Sequence, residues 1–182
     1  MQASTPNVGS TDQEFMAQAM HLALKAAELG EVPVGALVVS HGQVIGQGYN
    51  QTISAQDPCG HAEIMALRQA AQCVGNYRLS GCDLYVTLEP CTMCVGAIIH
   101  ARIKRLVYAA NEPKAGAVVS QLQLLTLPHY NHSVQVEAGL MALESSAMLT
   151  SFFKQRRLQH KQNKVTVTRN IPVTDQPKDA AL

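Results

Sequence analysis

The sequence is short of charge, of long apolar runs and of any cysteine pattern that suggests disulfides. Charged residues are 15% of its 182 positions, against 47% hydrophobic. Its apolar stretches are broken by glycine, polar or charged residues before the ~20 positions that a membrane-spanning helix needs, so no membrane segment is expected. The opening MQASTPNVGSTDQEF has neither the basic end nor the apolar run of a secretory signal. Five cysteines is an odd count without a disulfide framework. A reducing, cytoplasmic setting is therefore expected, with metal binding the expected use of closely spaced cysteines. Acid is missing from one stretch altogether. Lys154, Arg156, Arg157, Lys161, Lys164 and Arg169 follow one another with no Asp or Glu between them. Such a run suits a solvated helix end, and equally a nucleic-acid backbone.

The length predicts one domain over residues 11–160, with a flexible lead-in at 1–10 and a disordered polar tail at 161–182. Thr11-Asp12-Gln13-Glu14 has capping-box spacing, and Phe15, Met16, Ala19, Met20, Ala23, Ala26 and Ala27 follow at helical period until Gly30. Runs at 34–39 and 44–48 are β-branched and flank Ser40-His41-Gly42-Gln43, which predicts a hairpin. A loop over 50–60 leads to a helix over 61–73, a short buried strand over 84–88, and a second helix from Pro90 to about Ala101. Strands at 103–109 and 134–137 and a helix from Met141 to about His160 complete the order. This alternation predicts an α/β fold, a three-layer α/β/α sandwich around a five-stranded mixed sheet. The connection over 110–133 is too long for a hairpin, so the fifth strand is expected to lie parallel to the fourth.

Two stretches carry chemistry. In DPCGHAEIMA, Asp57-Pro58 makes a turn and His61 and Glu63 stand at the mouth of a helix. In LEPCTMC, Cys91 and Cys94 share the first turn of another helix, whose dipole favours thiolates. Brought together, His61, Cys91 and Cys94 offer one nitrogen and two sulfurs and leave a fourth tetrahedral position open, the pattern of catalytic zinc. Each part alone has a plainer reading: a capping His, a redox CxxC, an acid that favours the helix dipole. Their conjunction favours the metal site. Cys59 is a rival ligand that is expected instead to be a free thiol near the site, and Cys73 and Cys82 read as core or loop residues.

H-x-E followed by P-C-x-x-C resembles the signature of the zinc-dependent nucleoside and nucleobase deaminases. The stretches EVPVGALVV, GYN, DPCGHAEIMALRQA, NYRL, LYVTLEPCTMC, GAIIHARI, KAGA, Asn131-His132 and SFFKQRR resemble, more narrowly, the bacterial tRNA-specific adenosine deaminases of the cytidine deaminase superfamily. The resemblance runs from Phe15 to Leu158 and implies a cytidine deaminase-like fold. It implies one Zn2+ per subunit on His61, Cys91 and Cys94, a homodimer, and hydrolytic deamination of the wobble adenosine in a tRNA anticodon stem-loop to inosine. Glu63 is then the catalytic acid and base, passing a proton from the activated water to the purine ring and afterwards protonating the leaving amine. Asn50 and the Ala62 N–H would hold the flipped base, with Pro33 and Val34 as pocket walls; the alternatives are a turn role for Asn50 and strand packing for Val34. Glu112, Lys114, Lys154, Arg156 and Arg157 would meet the RNA, while Phe152 and Phe153 read chiefly as core.

One departure concerns the loop after the fourth strand, where Glu112 stands for the family's Asp and Val119 for its Gly. Sequence context around the target adenosine is expected to shift with them. A deaminase of a free base or nucleoside, of guanine or cytosine type, would keep the metal residues and Glu63 but have no need of the basic terminal helix. A non-catalytic zinc module would have no use for Glu63.

Overall fold

The computed structural model describes residues 10–169, with side chains from 12 to 162. Helix α1 (Ser10–Glu28) is followed by β1 (Gly35–Ser40), β2 (Gln43–Tyr49), α2 (Ala62–Val74), β3 (Asp83–Leu88), α3 (Thr92–His100), β4 (Arg105–Ala110), β5 (Gln135–Ala138) and α4 (Ala142–Arg169). A short 3-10 turn, Leu124–Thr126, interrupts the long connection between β4 and β5. The order matches the sequence expectation, and the difference lies at the C-terminus. There α4 continues past His160 to Arg169, into what was expected to be tail. The expected flexibility of residues 1–9 and disorder of 170–182 fall outside the described residues.

The sheet order is β2-β1-β3-β4-β5. β1 is antiparallel to both β2 and β3, whereas β3, β4 and β5 run parallel, as the long connection predicted. Alternate residues of each central strand serve opposite faces, as a two-residue period requires. Ala36, Val38, Leu84, Val86, Leu106 and Tyr108 meet α2 and α3 residues such as Ala62, Ala66, Val95 and Ile98. Leu37, Val39, Tyr85, Val107 and Ala109 meet Phe15, Met16 and Ala19 of α1. Both faces are therefore covered, giving the three layers. It also explains why β3 and β4 read as unbroken apolar runs rather than alternating ones.

Two features fix what matters for the site. Helix α2 lies directly on the backbone of β2, because Gly46 and Gly48 leave room for it. A Cβ on Gly48 would stand 2.3 Å from the Ala62 carbonyl oxygen. Helix α4 is held over the sheet by the Ser145 hydroxyl, which donates to the Thr87 carbonyl at 2.5 Å, and by Arg156, whose Nη1 donates to the Gly30 carbonyl at 2.9 Å. At the opposite end of the sheet, where β3 and β4 begin, Arg105 binds Asp12 of α1, Asp83 of β3 and Glu137 of β5 at 2.7, 2.8 and 3.1 Å.

Candidate metal centre and active site

The N-termini of α2 and α3 open beside the C-terminal end of β3. His61 is the N-cap of α2 and Cys91 the N-cap of α3, both with extended backbone and neither bonding its helix through its side chain. N-caps are usually Ser, Thr, Asp or Asn, whose oxygens bond the free N–H groups. His and Cys in that place leave their side chains available to turn towards a shared point. Cys94 follows one turn into α3 and is fully buried.

The ligand atoms form a triangle. His61 Nδ1 lies 3.6 Å from Cys91 Sγ and 3.5 Å from Cys94 Sγ, and the two sulfurs are 3.7 Å apart. For a tetrahedral zinc with bonds of about 2.3 Å to sulfur and 2.05 Å to nitrogen, the edges are about 3.6 Å for S–N and 3.8 Å for S–S. The triangle fits three corners of that tetrahedron. Among the described residues these are the one group of three His, Cys or acidic side chains gathered closely enough to hold a metal ion. The two thiols are driven in opposite directions. Cys94 and His61 pull the Cys91 thiol down to about 4, although burial opposes them. Its partner Cys94 is pushed up by Cys91 and by burial.

Glu63 sits in the first turn of α2, two residues past His61, and is 4% exposed. It stands outside the ligand triangle. Burial raises its carboxyl above the ordinary range, against the bond from its own backbone N–H and the nearby His61. Asn50 is buried, and its Oδ1 accepts from the Ala62 N–H at 2.9 Å. The expected base contact at Ala62 is thus occupied by Asn50 in this structure. Since the carbonyl oxygen must face that N–H, Asn50 has its amide NH2 left to donate. Val34 accepts from the Asn50 backbone N–H at 3.1 Å and belongs to the core, so strand packing is part of its role; Pro33 beside it is buried.

Of the residues expected to meet RNA, two converge. Lys114, from the loop after β4, and Arg157, from α4, line one groove with Leu149, Thr150 and Phe153. Lys114, Lys154 and Arg157 are exposed, and Phe153 is exposed rather than core. Glu112 is half-buried, and its Oε1 accepts from the Lys114 N–H at 2.9 Å. Arg156 faces the other way, bonding Gly30 and lying over the Phe152 ring, so its guanidinium anchors α4. Cys59 is half-buried, Cys73 exposed and Cys82 buried, and all three lie outside the ligand triangle.

Sequence reasoning missed two buried acids beside the site. Glu31 is fully buried and accepts from the Ile53 and Ser54 N–H groups at 2.9 and 2.7 Å and from the Thr52 hydroxyl at 3.1 Å, shaping the loop between Asn50 and His61. Burial would raise its carboxyl, but these bonds outweigh it and hold it low. Glu89, in LEPC, does the same for the loop after β4. Their partners are backbone groups of distant loops, which no spacing in the chain announces.

Comparison with known proteins gives a consistent picture. A family model for MafB19-like deaminases matches residues 10–157. The chain is 48% identical over 151 residues to the tRNA-specific adenosine deaminase of Haemophilus influenzae, covering 82% of this chain and 87% of that protein. It is 46% identical over 144 residues to that of Agrobacterium fabrum, covering 79% and 95%. A structure solved in a study of A-to-I editing by tRNA deaminases at the wobble position of transfer RNA superposes with a TM-score of 0.72 at 46% identity, over 74% of this chain and 98% of that one. A guanine deaminase from Bacillus subtilis superposes with a TM-score of 0.55 at 33% identity, over 68% and 82%.

Proposed function

The chain belongs to the MafB19-like deaminase family, among its tRNA-specific adenosine deaminases, and from that membership we propose that it converts the wobble adenosine of a tRNA anticodon to inosine. The observation that carries this reading is the triangle of His61, Cys91 and Cys94 with the buried Glu63 beside it and outside it. Zinc held by those three ligands would supply Lewis acidity, lowering the pKa of a water towards about 7. The rest falls to the chain's own groups. Glu63 takes a proton from the attacking water and delivers it to the ring nitrogen beside the amine. Once the hydroxyl has added to carbon 6, Glu63 takes that hydroxyl's proton and passes it to the amine, which leaves as ammonia, so that adenosine and water give inosine and ammonia. One carboxylate serves both transfers because the helix start holds it beside the metal ligands, and burial excludes competing water.

Asn50 presents its amide NH2 to an acceptor on the base, and its bond to the Ala62 N–H fixes that orientation. The groove of Lys114, Phe153 and Arg157 combines two cations with an exposed ring, which suits the backbone and a splayed base of an anticodon loop. A free base would leave that groove without a use. A homodimer fits a mostly apolar surface of α2 and α3, where Ile64, Leu67, Ala97 and the 61% exposed Tyr77 lie beside Arg68 and His100. Among the described residues no helix is long and apolar enough to cross a membrane. A cytoplasmic setting agrees with the free cysteines.

The test is to incubate the purified protein with tRNA transcripts, and separately with free adenine, guanine and cytosine bases and nucleosides. Inosine at the wobble position of a tRNA, with the free compounds unchanged, is the expected result. Deamination of a free compound with every tRNA unedited contradicts the proposal.

A further inference from the structure

Glu89 is 3% exposed and is the acceptor for five donors. Its Oε1 accepts from the N–H groups of Val118, Val119 and Ser120 at 3.1, 2.8 and 2.9 Å. Its Oε2 accepts from the Glu112 N–H at 3.0 Å and from the Ser120 hydroxyl. A buried carboxylate is costly unless hydrogen-bonded, and here every donor comes from the one loop that follows β4. Burial alone would raise the carboxyl, but these donors hold it below its usual value.

The loop is fitted to that carboxylate. A Cβ on Gly116 would stand 2.3 Å from Glu89 Oε2 and 2.6 Å from the Glu112 carbonyl, so no side chain fits there. Gly116 also pairs with Cys91, and the Ala117 N–H donates to the Pro90 carbonyl at 2.9 Å. From the fixed Glu112 the order passes on to Lys114, whose N–H the Glu112 carboxylate accepts. Lys114 faces the groove shared with Phe153 and Arg157.

We propose that Glu89 is a positioning residue for RNA recognition, gathering loop 112–120 so that Lys114 stands across the groove from Phe153 and Arg157. The proposal rests on the tRNA reading above. Glu89 sits two residues before a metal ligand, yet its donors all belong to the loop that carries Lys114, so its loss is expected in substrate binding. In Glu89→Gln the Ser120 hydroxyl can reverse and accept, but the Glu112 N–H loses its acceptor.

The test uses a zinc-loaded protein and an anticodon stem-loop, with kinetics measured across salt concentrations. Glu89→Gln should raise KM about tenfold with kcat within about threefold. The slope of log kcat/KM against log salt should fall by about 0.7, one phosphate contact on a single strand. Zinc per chain should stay as in the wild type. Lys114→Ala should reproduce the change in slope, and in the double variant with Glu89→Gln the effects should not add. Additive effects, loss of zinc, or a lower kcat at unchanged KM overturn the proposal. Should Glu89→Gln melt below the assay temperature, Ser120→Ala, which removes a single donor, takes its place in the cycle. Amide hydrogen exchange at residues 118–120 reads the clamp without activity: it should be slow in the wild type and fast in Glu89→Gln, and equal rates overturn the proposal. A wild type that leaves the stem-loop unedited counts against the functional reading instead.

Discussion

His61 and Cys91 each take the position where a helix usually finds its capping oxygen, and each leaves the cap unfilled. That exchange of local stability for a ligand was legible in the chain, because the His-x-Glu and Cys-x-x-Cys spacings lie within single helix starts. Their convergence also dictates which cysteines matter. Cys94→Ala removes a corner of the triangle and should lose the metal, whereas Cys59→Ser should keep it, as zinc analysis of the purified variants will read. The second prediction concerns Asn50. Asn50→Ala removes the acceptor of the Ala62 N–H along with the proposed donor to the base, and should lower kcat/KM about 100-fold with zinc retained. An effect below about threefold would leave Asn50 as a turn residue only. Glu31 and Glu89 were not legible: a carboxylate that accepts from backbone N–H groups leaves no partner residue type to recognise.

Elements carried the fold well in prediction because helix periods, caps and turn residues agree along most of the chain. Strand faces were harder to see, since covered strands lose their alternation. The end of α4 was missed because its last turns are polar and carry no apolar stripe to mark a boundary. Close packing of elements gives a further prediction. Gly48→Ala forces α2 away from β2 at Ala62, the residue next to His61, and should cost about 2 kcal/mol in urea unfolding. The charged network at the far end of the sheet gives a pH dependence. The Arg105 guanidinium lowers the Asp12 carboxyl below its ordinary value, helped by the Tyr85 hydroxyl and opposed by burial. A lowered folded-state pKa contributes stability above the unfolded value of about 3.9, and the contribution is lost as pH falls through the folded value. Arg105→Gln should therefore lose about 3 kcal/mol at pH 7, and the deficit should shrink below about pH 4. A deficit that is constant with pH would contradict that assignment.

For the molecule as a whole, the sheet brings two helix mouths to one point, and α4 crosses over the sheet to set Arg157 and Phe153 opposite Lys114. The meeting of His61, Cys91 and Cys94 was readable from the chain by motif. The groove was not, because Lys114 and Arg157 are distant in sequence and only the packing of α4 joins them. The basic run had suggested Arg156 and Arg157 as equivalent contacts, yet neighbours on a helix lie about 100° apart, and of the two only Arg157 lines the groove while Arg156 bonds Gly30. The central claim is that a metal triangle and a separate buried carboxylate divide the chemistry of wobble deamination. It is tested most directly by the single-turnover yield of wobble inosine from zinc-loaded Glu63→Gln beside the wild type on the same tRNA. The account predicts equal zinc content and a rate at least about a thousandfold lower for the variant. A variant that forms inosine at more than about a few per cent of the wild-type rate would contradict it.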